Sequence, residues 1–442
     1  MIDILSYRAS DIAYLTNGTL NGANTLINKI SLNSKEKGDS WCFIAIKGKS
    51  FNGADFIDEA IKNGASLIIT EENIKSIVPV VNVNSAIKAL GKISSAHIKN
   101  TKIVAITGSV GKTTTKEMVL AVLKEKYKTY GTKQNENNEI GVPLTLLAGQ
   151  NHDFCVVEMG MRARDEIDYL ASICQPECAI ITNCGTSHLE TLKTKNNIFL
   201  AKTEILNYLP KYAILPNEPR FKCLKLEGTT PFYIGEKSPT VYDYKYTNDG
   251  IIFSIIDNDR IIENIKIKSF AFHNLNNALI AYTVGKIYGL SNSEIKQGIE
   301  KFKAPKMREE YLKINDITVI NDCYNSSYES MESALISLTK YAEIKGKLPS
   351  LLIGDILEAG KDAHTIHKRI GKLCKKLGIK YLFAFGENAG YVIEGFEKGS
   401  LFTNKNDIAK EIINKLGGND VLLVKASRGA HFETIIQDMK EI

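Results

Sequence analysis

One segment, residues 102–117 (KIVAITGSVGKTTTKE), constrains the fold of this chain more than any other. A β-branched run ends at Thr107 and is followed by a loop with glycines at 108 and 111, then by a lysine, three threonines and a helical pattern. This order of strand, glycine loop and helix is typical of a phosphate-binding loop. Glycine lets backbone N–H groups approach phosphate oxygens closely, and the helix N-terminus and Lys112 add positive charge. The segment therefore predicts a strand–loop–helix unit that binds nucleotide phosphates.

The spacing of the two glycines departs from the common nucleotide loop, in which the first glycine comes five positions before the second. That earlier position is Ile106 here, and the loop is shortened to Gly108, two residues and Gly111. An ordinary strand-to-helix turn is the alternative, but a chance turn does not require Lys and Thr at this place. We expect Thr113 to offer its hydroxyl to Mg²⁺. The residues expected to bind nucleotide phosphates are Gly108, Ser109, Gly111, Lys112, Thr113 and Thr114.

Length and charge limit the classes of protein to consider. The 442 residues suggest about three domains of ~150 residues each. Hydrophobic residues make up 44% of the chain and charged residues 24%, as in a globular protein with an ample core. The formal charge of +6 suits anionic small substrates, and we see no basic tail that would indicate nucleic-acid binding.

The N-terminal segment and the cysteines indicate the compartment. Asp3 and Asp11 lie where a signal peptide would carry positive charge and then an apolar block. No stretch reaches the ~20 apolar residues of a membrane span, so we expect a cytoplasmic protein. The eight cysteines mostly lie in apolar patterns, typical of buried thiols in a reducing compartment. We expect no zinc at Cys174, Cys178 and Cys184, because no fourth ligand has suitable spacing.

Alternating strand and helix patterns divide the chain into three α/β domains, which we place at 1–98, 99–304 and 305–442. The first is a small α/β domain with strands at WCFIAIKG and SLIIT and a helix at ADFIDEAIKNG. The central, ATPase-like domain carries the phosphate loop, and its repeated alternation predicts a mostly parallel sheet covered on both faces.

Within the central domain we predict strands at 154–158 and 179–182 and helices at 163–173, 195–209 and 273–288. Residues 240–269 alternate polar and apolar side chains instead, which predicts an antiparallel meander. The last domain is predicted to be a second doubly wound, Rossmann-like unit without a phosphate loop of its own. Its strand patterns are DITVINDCYN, SLLIGD, YLFAFG and VLLVKAS.

Several polar residues follow the predicted central strands. Ligands of such sheets bind beyond the carboxyl ends of the strands, where Glu158, Asn183 and His188 fall. A carboxylate that closes an apolar strand needs a partner, and for Glu158 we favour a metal beside the phosphates over a salt bridge. His188 could join the same metal shell or be structural. Lys202 lies in a helical pattern that indicates an ordinary solvated lysine.

Two groups of asparagines lie near predicted helix N-termini. Asn135, Asn137 and Asn138 precede a helix predicted from position 140, and Asn274 and Asn277 lie one helical turn apart in HNLNNALIAY. The first group could bind substrate or cap its helix, and the second could bind a base or ribose edge or act as a cap.

Three polar groups follow strands of the last domain. Because the carboxyl ends of parallel strands share one edge of a sheet, we expect this edge to face nucleotide or substrate across a cleft. The groups are Arg308, Asp322, Tyr324 and Asn325; Asp355, Glu358, His364 and His367; and Lys425, Ser427 and Arg428.

Together these motifs resemble the Mur ligase family. That family's order of motifs spans about 100 to 430 here: TGSVGKTTTKE, NENNEIGVPLTLL, VVEMGMRARDEI, ITNCGTSHLE, AKTEIL, FHNLNNALIAY, INDCYN, GDILEAG and VKASRG. The first domain resembles the family more loosely, with ISLNSKEKGD where many members carry an aspartate-serine-arginine triplet.

The resemblance implies an ATP-dependent ligase that joins D-alanyl-D-alanine to UDP-N-acetylmuramoyl-tripeptide through an acyl phosphate, in peptidoglycan precursor synthesis. It implies that the first domain binds the UDP-sugar, that ATP and two Mg²⁺ ions serve the reaction, and that the last domain closes over the central one. We expect a monomer.

The resemblance also implies catalytic roles for Lys112, His188 and Lys202, and a metal set of Thr113, Glu158, His188 and Lys202. Lys202 matches the family lysine that is carbamylated. Once CO₂ is added, the side chain becomes an anion that can ligate or orient a second Mg²⁺, which a bare ammonium cannot do. The family's ATP-side positions correspond to Asn274, Asn277, Arg308, Asp322, Tyr324 and Asn325.

Two alternatives stay open at this point. One is a ligase of the same family with another substrate, of the folylpolyglutamate type, against which NNEIGVPLTLL argues. The other is a nucleotide-binding regulatory module that hydrolyses ATP slowly and binds a partner through its last domain.

Overall fold

The computed structural model describes residues 1–48, 50–235, 239–258 and 260–442. In this part of the chain the strands form three six-stranded sheets and one three-stranded sheet. In chain order we call them the first, central, meander and last sheets. The six-stranded sheets consist mainly of parallel strands packed against helices, which confirms the α/β class.

The first sheet occupies the N-terminal part of the chain. Its elements are β1 (Ile2–Arg8), α1 (Ala9–Thr16), β2 (Thr19–Asn21), β3 (Leu26–Ser31), β4 (Trp41–Ile44), α2 (Ile57–Lys62), β5 (Ala65–Thr70), β6 (Val80–Asn82) and α3 (Ala86–His97). The strand order is β1-β3-β4-β5-β6-β2, and only the two edge strands pair antiparallel to their neighbours. The predicted strands are β4 and β5, whereas the predicted helix is split into a 3₁₀ turn, Gly53–Phe56, and α2.

The central sheet is fully parallel. Its elements are β7 (Lys102–Thr107), α4 (Lys112–Leu123), β8 (Thr129–Gly131), α5 (Gly141–Gly149), β9 (Phe154–Glu158), α6 (Glu166–Cys174), β10 (Cys178–Ile181), α7 (Leu189–Leu192), α8 (Lys195–Thr203), β11 (Tyr212–Pro216), α9 (Pro219–Lys222) and β12 (Thr230–Ile234). The order β12-β11-β10-β7-β9-β8 places β7 between β9 and β10. The strand order reverses at β7, so the ends of these three strands form the crevice where such sheets bind ligands.

The β-branched run of β7 is buried on both faces of the central sheet. Val104 and Ile106 pack into one core with α4, whereas Ile103 and Ala105 pack into another with α5 and α6. Alternate side chains of a strand point to opposite faces, so a continuous apolar run is what a sheet covered by helices on both sides requires.

The meander sheet has the antiparallel order β13-β14-β15, as predicted. Its strands and the following helices are β13 (Thr240–Thr247), β14 (Gly250–Asp257), β15 (Arg260–Ile267), α10 (Asn274–Ile287) and α11 (Asn292–Lys301). Apolar side chains of β14 and β15 extend the core between α10 and the central sheet. The helix predicted at 273–288 is α10.

The last sheet is the predicted second doubly wound unit. Its elements are β16 (Glu310–Ile314), β17 (Ile317–Asn321), α12 (Tyr328–Lys345), β18 (Leu348–Gly354), α13 (Ala363–Lys376), β19 (Tyr381–Phe385), α14 (Ala389–Phe396), β20 (Ser400–Phe402), α15 (Lys405–Lys415), β21 (Asp420–Lys425) and α16 (Glu433–Glu441). The order is β16-β17-β21-β18-β19-β20, and β16 alone pairs antiparallel with its neighbour.

Two predicted helices are shorter than expected. The helix predicted at 163–173 begins at Glu166, because Asp165 has a left-handed φ of 69° and its backbone N–H donates to the Glu204 carboxylate at 3.1 Å. The helix predicted at 195–209 ends at Thr203 and continues only as a 3₁₀ turn, Glu204–Leu206.

All eight cysteines lie in the described ranges and carry free thiols, and seven of them are buried, with Cys223 exposed. Burial raises the pKa of the Cys155 thiol to about 12. Within the same ranges, none of the helices combines the length and the apolar character needed to cross a membrane.

Replacing Leu67 by Ala should destabilise the first sheet by about 2–5 kcal/mol, because a fully buried side chain is removed from β5 and leaves a cavity. Trp41, the one tryptophan of the chain, is fully buried on the neighbouring β4, so its fluorescence reports the unfolding of this sheet in urea. Ile77→Ala is the control, because Ile77 is 91% exposed and should leave the midpoint unchanged. Equal midpoints for the two variants would contradict the packing.

Candidate active site

The segment 102–117 adopts the predicted strand, loop and helix. β7 ends at Thr107 and α4 begins at Lys112, with Gly111 in a left-handed conformation at the N-cap (φ 86°). Gly108 has a φ of 154°, and a Cβ there would lie 1.9 Å from the hydroxyl of Thr182. Only glycine fits at 108, because a side chain would collide with the end of β10.

Residues at the end of β10 hold the loop in place. The backbone N–H of Ser109 donates to the carbonyl of Asn183 at 3.1 Å, and that of Val110 donates to the side-chain oxygen of Asn183 at 3.0 Å. The Val110 carbonyl accepts from the amide of Asn183 at 2.8 Å and from the Thr182 hydroxyl at 2.6 Å. These bonds preorganise the glycine backbone for phosphate oxygens.

The residues that open α4 face a cavity. Lys112 Nζ donates to the Gly108 carbonyl at 2.7 Å, which folds the lysine back over the loop. Thr113 is buried and Thr114 half-buried. Of the six predicted phosphate-binding residues, Ser109, Gly111, Lys112, Thr113 and Thr114 line the cavity, and Gly108 does not.

Glu158 ends β9 beside this loop and is 2% exposed. Its Oε1 accepts from the Asn137 amide at 2.8 Å, whereas the buried Oε2 has no hydrogen-bond partner. An orphaned carboxylate oxygen in a buried position is costly unless a cation or donor meets it. The Oε2 atom of Glu158 is therefore a suitable ligand for a hard cation such as Mg²⁺.

The described residues contain no group of three His, Cys, Asp or Glu side chains that could hold a metal on its own. Mg²⁺ usually binds through one or two carboxylates together with substrate phosphates and waters, so a protein cage is not required. The Glu158 carboxylate and the Thr113 hydroxyl line the same cavity and supply hard oxygen donors. This donor set fits a magnesium ion shared with a nucleotide.

His188 lies at the N-terminus of α7 with a left-handed φ of 66° and lines the cavity. Burial, and then the positive charges of Lys112, Lys202 and Arg162, lower the pKa of its imidazole to about 3. The ring is therefore neutral at neutral pH. A neutral imidazole is the form that can ligate a metal.

Lys202 is 1% exposed on α8, so the interpretation as a solvated helix lysine is wrong. Its side chain is not among those that line the cavity. It lies close enough that its charge helps to lower the pKa of His188. Near the same position, burial raises the pKa of the Cys184 thiol to about 11, although the charges of Lys202 and Arg220 oppose that rise.

The asparagines before α5 have separate structural roles. Asn138 lies before α5, and its side-chain oxygen accepts the backbone N–H of Gly141, the first residue of that helix, at 2.9 Å. Asn137 holds Glu158, as described above. Both side chains, together with Asn135, line the cavity.

Asn274 and Asn277 are buried in the first turn of α10 and line the cavity. The Asn277 amide donates to the Asn274 side-chain oxygen at 2.8 Å, and the Thr115 hydroxyl donates to Asn277 Oδ1 at 3.0 Å. The pair therefore connects α10 to the helix that follows the phosphate loop.

The first and third polar groups of the last sheet lie together at its edge. Lys425 Nζ, at the end of β21, contacts Asp322 Oδ2 at 2.6 Å and the Asn325 carbonyl at 3.1 Å. The Arg308 guanidinium stacks over the Tyr324 ring, 4.1 Å from its centroid. All seven residues of the two groups, Ser427 and Arg428 included, line the cavity, as predicted.

Of the second polar group, the described side chains of Asp355, His364 and His367 do not line the cavity, so the expectation is wrong for these three residues. Asp355 accepts two backbone N–H groups that follow β19, at 2.9 and 3.0 Å. His367 is fully buried and accepts the backbone N–H of Ile356 at 3.1 Å. His364 is exposed and packs against a tyrosine of α14. The side chain of Glu358 lies outside the described part of the structure.

The cavity has a volume of 1490 Å³ and lies between the central and last sheets. Small-molecule sites commonly occupy about 300–1,000 Å³, so this space is larger than one small ligand requires.

Sequence reasoning missed several charged residues of this cavity, among them Arg162, Glu309 and Glu329. Glu309 is half-buried, and desolvation raises the pKa of its carboxyl; it accepts the Phe270 N–H at 2.7 Å and the Tyr311 hydroxyl at 2.8 Å. Glu309 follows Arg308 in the segment before β16, a pattern that is typical of surface residues. Its burial depends on segments distant in sequence.

Comparison with known proteins finds the same family across the chain. Models described as the Mur ligase family catalytic domain, the Mur ligase middle domain and the Mur ligase glutamate ligase domain match residues 26–107, 106–285 and 307–428. The chain is 33% identical to the UDP-N-acetylmuramoyl-tripeptide–D-alanyl-D-alanine ligase of Bacillus subtilis (strain 168), over 98% of each chain.

Solved structures agree with these matches. A crystal structure of MurF from Acinetobacter baumannii superposes with a TM-score of 0.92 and 27% identity, covering 100% of both chains. The MurF ligase of Thermotoga maritima in complex with ADP superposes with a TM-score of 0.83 and 25% identity, covering 93% of this chain and 97% of that one.

Replacing Gly108 by Ala should weaken binding of ATP with Mg²⁺ by about tenfold or more, because the added Cβ forces the loop or Thr182 to move. Titration calorimetry on the whole protein measures the dissociation constant. Gly417→Ala is the control, since a Cβ at Gly417 meets no atom within 4 Å. Equal dissociation constants for Gly108→Ala and the control would show that this loop does not bind phosphates.

Proposed function

The chain belongs to the Mur ligase family, and we propose that it is the ATP-dependent ligase that joins D-alanyl-D-alanine to UDP-N-acetylmuramoyl-tripeptide in peptidoglycan precursor synthesis. One observation carries the proposal: the phosphate loop, the orphaned Glu158 oxygen and the charged edge of the last sheet face one cavity. Similarity over nearly the full length of a relative with that activity in its name supports the choice of substrates.

Three functional domains are part of the proposal: 1–98 for the UDP-sugar, 99–304 for ATP and 305–442 for closure over the acceptor. The residues matched by the three family models support this division. The sheets support it too, because each sheet lies within one of the three proposed domains.

The proposed reaction has two steps. The terminal carboxylate of the tripeptide attacks the γ-phosphorus of ATP, which forms an acyl phosphate and releases ADP. The amine of D-alanyl-D-alanine then attacks the acyl carbon, the bond to phosphate breaks, and the amine loses a proton as the amide forms. Inorganic phosphate is the second leaving group.

The residues of the phosphate loop would stabilise charge on the transferring phosphoryl group. Lys112 and the N-terminus of α4 place positive charge there, and the loop is fixed before the substrate arrives. Thr113, Glu158 and His188 would hold Mg²⁺. Bound Mg²⁺ would offset the repulsion between the attacking carboxylate and the triphosphate.

The nucleotide's other end would lie against α10 and the edge of the last sheet. Asn274 and Asn277 face the cavity from α10, and Arg308 and Tyr324 form a stacked platform opposite them. The wall formed by the last sheet also includes Lys425, which is held by the Asp322 carboxylate and the Asn325 carbonyl. Because the two walls come from different sheets, domain closure would complete the site.

Carbamylation of Lys202 belongs to the same proposal. The lysine amine would add CO₂ and lose a proton, so that a buried cation is replaced by an anion with oxygen donors. Its burial supports this, and so does its position close enough to His188 for its charge to help lower the pKa of that imidazole. The carbamate would hold a second Mg²⁺ together with His188.

We also propose that the protein acts as a monomer in the cytoplasm, where ATP and thiol-reducing conditions occur together. Seven buried free thiols support a reducing compartment.

Purified protein should release phosphate from ATP only when Mg²⁺, UDP-N-acetylmuramoyl-tripeptide and D-alanyl-D-alanine are all present. Parallel assays with the lysine and diaminopimelate tripeptides, read by mass spectrometry, identify the preferred substrate. A folate acceptor with glutamate is the comparison for the related ligase. Slow ATP hydrolysis without any amide product would instead favour the regulatory module.

Lys202→Ala should lower kcat by about 10²-fold or more, because the proposed metal ligand is lost. Short carboxylic acids such as formate or acetate should partly restore the rate by occupying the space of the carbamate. Lys195→Ala is the matched control, because Lys195 is exposed at the start of the same helix. Full activity of Lys202→Ala would rule out the role.

A further inference from the structure

The side chain of Glu329, from the domain that holds the last sheet, contacts the loop that carries His188. Glu329 lies in the first turn of α12, and its carboxylate accepts two hydrogen bonds from Thr186. The backbone N–H of Thr186 donates to Oε1 at 3.0 Å, and its hydroxyl donates to Oε2 at 2.8 Å. Bonds to an ionised carboxylate are stronger than neutral ones, so this is a firm contact between the last and central sheets.

The same loop is attached to the phosphate loop on its other side. The backbone N–H of Gly185 donates to the Ser109 hydroxyl at 3.0 Å, and the Ser187 hydroxyl donates to the Ser109 carbonyl at 3.4 Å. Segment 183–188 therefore lies between Glu329 and the phosphate loop, with His188 at its end.

Gly185 lets the carboxylate approach. A Cβ at this position would lie 3.2 Å from the carboxyl carbon of Glu329, closer than ordinary contact. The backbone of the loop can therefore lie directly against the first turn of α12.

Capping of α12 does not require Glu329. The Ser327 side chain accepts the backbone N–H of Ser330 at 3.3 Å, and the Ser330 hydroxyl oxygen accepts the backbone N–H of Ser327 at 2.9 Å. This reciprocal pair already satisfies the helix N-terminus. The carboxylate of Glu329 is thus directed outward at Thr186 rather than used within its own helix.

We propose that Glu329 is a positioning residue: its contact with Thr186 fixes segment 183–188, and so places His188 and Ser109 for phosphoryl transfer when the last sheet is docked. The proposal rests on the proposed ligase function. Glu329 acts through the loop and needs no contact with the reacting atoms.

Amide hydrogen exchange of the full-length protein tests the contact without requiring ligase activity. Glu329→Ala should speed exchange of the 183–188 amides by about tenfold, because the acceptor of the Thr186 N–H is lost. Glu343→Gln is the matched control, since Glu343 is exposed near the other end of α12 and should leave this exchange unchanged. Equal exchange in the two variants would overturn the proposal.

Steady-state kinetics test the positioning. Glu329→Ala should lower kcat by about tenfold and leave the KM for the UDP-sugar tripeptide unchanged, since the proposed UDP-sugar site is in the first domain. Thr186→Val should lower kcat less, because its N–H remains, and Thr186→Ser should restore the wild-type rate. The double variant Glu329→Ala/Thr186→Val should be no slower than Glu329→Ala alone.

The outcomes separate the two hypotheses. Additive effects in the double variant, or a fall in kcat without faster exchange, would overturn the role of Glu329. If Glu329→Ala does not fold, Thr186→Val and Thr186→Ser decide by the same measurements. If the wild-type protein forms no dipeptide product, the proposed function fails, and the exchange experiment still decides whether Glu329 holds the loop.

Discussion

Asn183 and Val110 exchange two hydrogen bonds that join the end of β10 to the phosphate loop. The site depends on this connection, because β7, β9 and β10 are adjacent and parallel, and their carboxyl ends meet at one crevice. Once the loop is held there, Lys112 and Thr113 follow at the start of α4 and Glu158 lies beside them at the end of β9. Strand pairing brings these groups to one crevice, and the hydrogen bonds from Thr182 and Asn183 then fix the conformation of the loop.

A second constraint is the balance of buried charge around this crevice. Glu158 has an oxygen without a donor, His188 is kept neutral by burial and nearby cations, and Lys202 is enclosed on α8. A buried carboxylate oxygen without a donor is costly, and burial disfavours the charged form of a lysine. A bound cation and an added carboxylate group would each lower that cost. These polar groups are therefore better explained as a ligand-binding set than as part of a core.

Local patterns predicted the features that depend on neighbours in sequence. The phosphate loop, the strands of β9 and β10 and the meander all follow from short stretches of residues, and the structure has them. The local pattern predicts Lys202 to be solvated, because helical spacing does not reveal which face of α8 is covered. Only the family resemblance indicated a role for this lysine. Asp355 and His367 follow a strand as binding residues do, yet their partners are backbone groups of nearby loops. Glu309 and Glu329 had no local signal, because Phe270, a partner of Glu309, lies 39 positions away in the chain and Thr186, the partner of Glu329, lies 143 positions away.

The distribution of the thiols has a practical consequence for measurement. Cys223 is exposed on the central part of the chain just after α9, whereas the other seven cysteines are buried. Since alkylating reagents react with accessible thiolates, a maleimide dye would attach at one known position on the unmodified sequence. A second dye on an introduced surface cysteine of α13 or α15 would then report the distance between the central and last sheets in single molecules, and would do so without first removing any native cysteine.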